Sequence, residues 1–406
     1  MRHGGDSGAA VLWDTAAMEI TAIRAIPVNI PFVAPYRFSY GSIASLTKTL
    51  VEVTTDEGLV GWGEAADGDR SAAIMAVAPR LIGLDPLELD AAEAAVVPGY
   101  AYSPWADVLG AKRTFGAIEL ALWDIRGKVE GKPLYELLGG AVRTEIPLTE
   151  YFSYRFPGPG HPGESTPLEV ARECARLAEE FGGTIFEGKV GTVGVDDELT
   201  MVREIRAAIG DRPLRLDCNG GWLVPTAREL IPRFEEFGID QWEEPVEGYE
   251  DLAAIRDVTT RPFSSHTIDL PLAKALGVPD VIVTNLNEQG GIRRTVAFVR
   301  ACQAAGIGFR FHSGETGVAS TAYLHVTAAI DWIDDASQTL FRWYGDDVMT
   351  GGPYVPRGGV VSVPTGPGLG IDIDPVALDR CHRRFLAEGS FPGADGAEYG
   401  QDFARR

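Results

Sequence analysis

Cysteine is scarce: Cys174, Cys218, Cys302 and Cys381 are the only four among 406 residues, and none forms a CxxC pair. A disulfide framework or a thiolate zinc site needs paired or closely spaced cysteines, so these read as isolated thiols of a reducing, cytoplasmic protein. Basic residues are also in short supply, 36 Lys and Arg against 58 Asp and Glu, a formal net charge of −22. Phosphate backbones and anionic bilayers bind clustered cations, which excludes nucleic acid and membrane surfaces as partners. No apolar run reaches the ~20 residues needed to span a bilayer, because Asp, Glu or Arg interrupts each one. No GxGxxG follows the first strand-like run of the alternating region, so a dinucleotide fold has little support. What is present, 45% hydrophobic and 23% charged residues, is the composition of an ordinary globular chain. Acidic groups gathered inside such a fold can hold a cation, and the question becomes which of the 58 do so.

Residues 1–17, MRHGGDSGAAVLWDTAA, lack the apolar core of a signal peptide and read as a flexible leader. From 18 to 142 the chain starts as an antiparallel meander, with EITAIRAIPVNI and TKTLVEVTTDEGLVGWGE alternating apolar and polar residues between Gly and Asp turns. It then turns helical in GAIELALWDIRGKVEGKPLYELLGG, where Ile118, Leu122, Ile125 and Val129 recur at helical spacing. From 143 to 370, short β-branched runs alternate with helix-length segments: IPLTEYF, GTIFEGKV, PLRLDC, IDQWEE, PFSSH, DVIVTN, IGFRFH and TLFRW. Eight strands divided by helices predict an α/β parallel barrel. Residues 371–406 are too long for a further barrel unit and are expected to return to the N-terminal domain.

Functional groups of a barrel project from the C-terminal ends of its strands, and here the last polar residues of successive runs are Lys189, Asp217, Glu243, His266, Asn285 and His312. Asp217, Glu243 and His266 each follow the last by one strand–helix unit. Two converging carboxylates repel unless a cation or proton lies between them, so a divalent metal accounts for the set. His3, His161, His325 and His382 read as surface or structural residues.

With their flanks, these residues resemble the enolase superfamily, in its mandelate racemase, muconate lactonizing and glucarate dehydratase branch. The matching runs are AIELALWDIRGK, RLDCNGGW, QWEEPV, Gly290-Gly291, HSGETGVASTAYLHVTAAI from His312, and VPTGPGLGIDID. The resemblance covers roughly Met18 to Gly389 and implies a modified (β/α)7β barrel under an N-terminal α+β capping domain. It also implies abstraction of the proton α to a carboxylate, with Mg2+ stabilising the resulting enolate. By motif, Asp217 and Glu243 match the first two metal ligands, and His266 stands where the third belongs, with Asp269 as the alternative. Lys189 matches the second Lys of a KxK motif, the usual base, and His312 the histidine that works from the other face. Asn285 falls where an Asp orients that histidine, and Asn219 matches the DxN motif. Substrate choice is expected from two cap loops, with Arg37, Tyr40, Tyr102 and Trp105 in them and Arg155 adding to the pocket.

Three positions depart from the family pattern. Glu187 replaces the first Lys, and a carboxylate beside Lys189 is expected to favour its ammonium form. Asn285 in place of Asp weakens His312 as a base and makes it a readier acid. His266 as a neutral ligand lets Mn2+ or another divalent transition metal compete with Mg2+. The asymmetry points to dehydration of a sugar acid or related hydroxy acid; the alternatives are a racemase, epimerase or cycloisomerase of the same superfamily, or a homologue that binds metal and ligand without turnover. The family is commonly homo-oligomeric, and the same is expected here.

Overall fold

The computed structural model describes residues 18–65, 68–99, 107–312, 314–391 and 405. Strands β1 (Ile20–Phe38), β2 (Gly41–Thr55) and β3 (Val60–Glu64) form an antiparallel sheet in that order. Ile20, Ile23, Ile26, Val28, Ile30 and Phe32 of β1 and Leu50, Val51 and Val53 of β2 are buried. Helices α1 (Ser71–Val77), α2 (Leu89–Val96), α3 (Val108–Glu130) and α4 (Leu134–Leu137) follow. The Asp107 side chain caps α3 by accepting from Gly110 N, and Gly131 ends it in the left-handed region that glycine adopts without strain.

Strand β4 (Glu145–Pro147) pairs antiparallel with β12 (Val360–Ser362). A seven-stranded parallel sheet then runs in sequence order through β5 (Glu150–Phe152), β6 (Phe186–Lys189), β7 (Leu214–Asp217), β8 (Gln241–Glu243), β9 (Phe263–Ser265), β10 (Val281–Thr284) and β11 (Gly308–Phe311). Helices α5 (Pro167–Glu180), α6 (Val195–Ile209), α7 (Val224–Glu235), α8 (Gly248–Ala254), α9 (Leu270–Leu276), the pair α10 (Leu286–Gln289) and α11 (Ile292–Ala305), and α12 (Gly317–Ala329) follow the strands in turn. Strands followed in turn by helices in one parallel sheet are the α/β arrangement expected from the sequence, with seven strands rather than eight.

The eighth expected strand, TLFRW, is not one: Phe341–Trp343 is a 3-10 turn. Closure falls to the residues just before it. Ser337 bridges in parallel to Leu148 and its carbonyl accepts from Thr149 N, while Gln338 N donates to the Phe311 carbonyl. The aromatic run is apolar for packing against the cap, where Trp343 meets Tyr36 and Tyr344 stacks on Phe32.

The Gly290-Gly291 pair is a joint between cap and barrel. A Cβ on Gly116 of α3 would sit 2.4 Å from the Gly290 carbonyl carbon, so the two backbones touch. Arg293, just beyond, donates to Glu119 of α3 at 2.7 Å. Helix α13 (Pro375–Glu388) lies on the meander, where His382 Nδ1 donates to the Pro27 carbonyl and Arg384 to that of Asn29. All four cysteines are buried free thiols. Among the described residues no helix is long and apolar enough to cross a membrane.

Candidate active site

The register of the parallel ladder sets Lys189, Asp217 and Glu243 side by side at the ends of β6, β7 and β8. All three are buried. Lys189 Nζ donates to Asp217 Oδ2, which also accepts from Tyr151 Oη at 3.0 Å; Asp217 Oδ1 accepts from Asn219 N at 2.9 Å. Glu243 Oε1 lies 2.9 Å from His266 Nε2, and the His266 ring meets that of His312 edge-on at 4.7 Å. Five of the six strand-end residues therefore share one mouth.

Electrostatics within the mouth is unbalanced. Burial pushes the Asp217 carboxyl up to about 7 against the pull of Lys189, and Glu243 adds to the rise. Burial also opposes charge on His266, but Glu244 and Glu243 carry its imidazole up to about 9. Glu243 is held well below the usual carboxylate range, burial notwithstanding, by His266 and Arg310. Lys189 stays an ammonium despite burial because Asp217 and Tyr36 face it.

Glu187 is not the cause, contrary to expectation. Two residues earlier on β6, it pairs with Arg310 Nη2 at 3.2 Å and Arg215 Nη1 at 3.6 Å, and accepts from Gln338 Nε2 at 2.7 Å. The ion pair of Lys189 is with Asp217 instead.

Other expected residues serve elsewhere. Asn285 Oδ1 accepts from Glu288 N at 2.8 Å and caps α10, rather than orienting His312. Asp269, the alternative metal ligand, is exposed and caps α9 by accepting from Leu272 N at 2.9 Å. Arg155 is buried with Nε and Nη2 both spent on Glu164, at 2.6 and 2.7 Å, and its guanidinium over Trp343, so it supports the structure rather than the pocket. Arg37 donates to the Thr192 carbonyl at 3.0 Å beyond the end of β6 and lies over the Phe156 ring. Tyr40 is exposed and borders, with Ser39, Asn219, Gly221, Glu244 and Thr267, a cleft of about 420 Å³ on the rim. Tyr102 and Trp105 lie outside the described residues.

Tyr151, Arg310 and Gln338 belong to this site and were not anticipated. Arg310 could have been found, since it precedes His312 by two and so faces the same side of β11. Tyr151 is the middle residue of β5, the first strand of the sheet. Gln338 lies outside any strand pattern and left no signal.

The donor set suits a divalent metal ion: two buried carboxylates on adjacent strands, an imidazole nitrogen beside one of them, and a lysine ammonium standing as the cation on the other. Asn219 Oδ1, next to Asp217, is buried without a hydrogen-bond partner. Among the described residues, the one trio of ligand atoms already drawn together is elsewhere, at His161, Glu164 and Glu173, and there Arg155 and Arg176 neutralise the acids.

Comparison with known proteins agrees with this geometry. Residues 20–139 match the mandelate racemase / muconate lactonizing enzyme N-terminal domain, and residues 169–377 the enolase C-terminal domain-like family. A probable glucarate dehydratase of Streptomyces coelicolor is 28% identical, the match covering 92% of this chain and 93% of that one. An N-succinyl-L-Arg/Lys racemase of Bacillus cereus is 27% identical, over 88% of this chain and 96% of the relative. Cycloisomerases match to the same degree. An enolase of Pseudomonas fluorescens, solved with magnesium, potassium and tartrate, superposes with a TM-score of 0.84 at 25% identity, covering 96% of this chain and 99% of the other.

Proposed function

Since the chain belongs to the enolase superfamily, in its mandelate racemase and muconate lactonizing type, we propose that it is a magnesium-dependent hydro-lyase: it removes the proton α to a substrate carboxylate and eliminates a β-hydroxyl. The substrate class is a small hydroxy acid of the sugar-acid kind, and the product is a 2-keto-3-deoxy acid. Support comes from one observation above the rest: at the Asp217–Glu243 pair, Lys189 is bonded to Asp217 while the His312 ring packs on His266, the neighbour of Glu243.

Asp217, Glu243 and His266 would hold the cation. When bound, it neutralises the charge that builds on the substrate carboxylate as the α-proton leaves. Lys189 Nζ donates to Asp217 Oδ2, so a cation held by Asp217 would compete with Lys189 for that carboxylate. Burial, which opposes charge on Lys189, then favours the free amine, and Nζ takes the α-proton. The His312 ring donates a proton to the departing hydroxyl. Racemisation wants two matched bases, and these two are unmatched.

The test is a panel of aldonic, aldaric and related hydroxy acids given to the Mg2+-loaded protein in D2O, followed by NMR and by keto-acid trapping. Keto-acid product supports the reading. Deuterium entering at the α-carbon with no keto acid overturns dehydration and moves the chain to racemase-type chemistry. Ligand-induced thermal stabilisation with neither product nor exchange makes it a binding protein.

A further inference from the structure

Beneath the mouth lies a fully buried guanidinium that the proposed reaction does not consume. Arg310 Nη2 donates to Glu243 Oε2 at 2.6 Å, to Ser264 Oγ at 3.0 Å and to Glu187 Oε1 at 3.2 Å. Its Nη1 donates to Gln241 Oε1 at 2.9 Å and to Asp335 Oδ2 at 3.2 Å. The other oxygen of Glu243 is reached by Gln338 Nε2, at 2.8 Å, from an amide that also holds Glu187. Both oxygens of Glu243 are thus gripped from within the barrel.

We propose that Arg310 is a positioning residue for Glu243: its planar fork, clamped by Gln241 and Asp335, fixes the carboxylate plane and so decides which oxygen is presented to a metal ion. The inference rests on the reading of Glu243 as a metal ligand given above. A guanidinium can reach Glu243, Glu187 and Gln241 at once because its donors diverge within one rigid plane; an ammonium on a flexible stem cannot. The competing account is that Arg310 only neutralises Glu187, a buried acid that would otherwise be costly. The two accounts differ in what a charge-preserving change does. Arg310→Lys keeps the charge and loses the fork. In the double variant Glu187→Gln/Arg310→Met, the acid and the cation leave together, and Asp335 keeps Arg215 as its cation. Electrostatics alone would leave Mn2+ binding unchanged in the first and unchanged or tighter in the second, since a positive charge beside the ligand is gone.

The experiment titrates Mn2+ into metal-free wild-type protein and both variants, reading free Mn2+ by electron paramagnetic resonance and folding by circular dichroism melts. Positioning predicts that Mn2+ binds about tenfold weaker or worse in both variants, the range for residues that orient a metal ligand, while melting stays cooperative. If Arg310→Lys fails to melt cooperatively, the double variant alone carries the comparison. Wild-type uptake with unchanged affinity in the folded variants overturns the positioning role and leaves the metal reading intact. A wild-type protein that takes up no Mn2+ overturns the metal reading and this inference with it.

Discussion

Two rows of side chains cross the inside of the barrel, one two residues above the other on each strand. The lower row is Glu187, Arg215 and Gln241 on β6 to β8, and the upper is Lys189, Asp217 and Glu243. Charge in the lower row is answered within the protein: Glu187 faces Arg215 and Arg310, and both guanidinium groups also reach Asp335. Charge in the upper row is answered unevenly. Glu243 pairs with Arg310 from below and with His266, whereas the ion pair of Asp217 is with Lys189, and burial with Glu243 lifts Asp217 to about 7. Parallel barrels ordinarily fill this depth with branched apolar residues. The difference teaches that the lower row is complete as folded, whereas the upper row, on the function proposed above, takes up a cation.

The largest effect should follow from breaking the upper row. Asp217→Asn removes one oxygen ligand and the Lys189 partner, and we expect kcat/KM to fall on the order of 10³-fold with Mn2+ uptake lost. Steady-state kinetics with the substrate found above, beside a cooperative melt, would check it. Activity within tenfold of wild type would show that the upper row does not hold the metal.

Breaking the lower row should act on the fold instead. Arg215→Met leaves the buried Glu187 and the partly exposed Asp335 to share Arg310, and about 2 kcal/mol of stability should be lost in urea titrations. Arg215 makes no contact with Glu243, so Mn2+ affinity should stay within about threefold of wild type, less than the change that loss of a ligand-orienting residue brings. A variant of native stability that binds metal poorly would reverse the assignment of the rows.

The upper row was legible in the sequence and the lower row was not, for a physical reason. Strands have period two, and a barrel exposes their C-terminal ends, so the last polar residue of each run announces itself. Glu187 was read as a neighbour of Lys189 because it is near in sequence. Along a strand, however, i and i+2 stand about 6.6 Å apart at the backbone, and partners from across the barrel come closer. Arg310 and Glu187 are 123 residues apart and 3.2 Å from each other. The run TLFRW failed as a strand for a similar reason: its composition is strand-like, but backbone pairing was taken by Ser337 and Gln338.

Histidine extends the contrast beyond the rows. His266, among acids, is pushed up to about 9. His325 of α12 is buried, stacks on Tyr135, meets the Leu369 carbonyl at 3.0 Å, and is pushed by burial down to about 4. Its ordinary value is 6.5, so between pH 6.5 and 4 the unfolded chain binds the extra proton. Stability from this residue is therefore full above about pH 6.5 and declines as the pH falls, by about 2.5 kcal/mol at pH 4.5. Urea midpoints at pH 7 and 4.5 should converge for His325→Gln relative to wild type. Equal acid sensitivity in both proteins would place the loss elsewhere.

The smallest expected effect separates a strand-end residue that serves the mouth from one that serves the backbone. Asp217 is the last residue of β7, whereas Asn285 directly follows β10, and its side-chain oxygen accepts from Glu288 N at the start of α10. Asparagine is favoured both in sites and as a helix cap, which is why sequence alone could not tell the two apart. Asn285→Ala should cost about 1 kcal/mol in stability, Asn285→Asp should cost almost nothing because Asp caps equally well, and neither should shift the pH dependence of kcat. If Asn285→Asp instead moves the alkaline limb of the profile, the carboxylate is acting on His312, and β10, which lies between the strands that lead to His266 and His312, serves the mouth as they do.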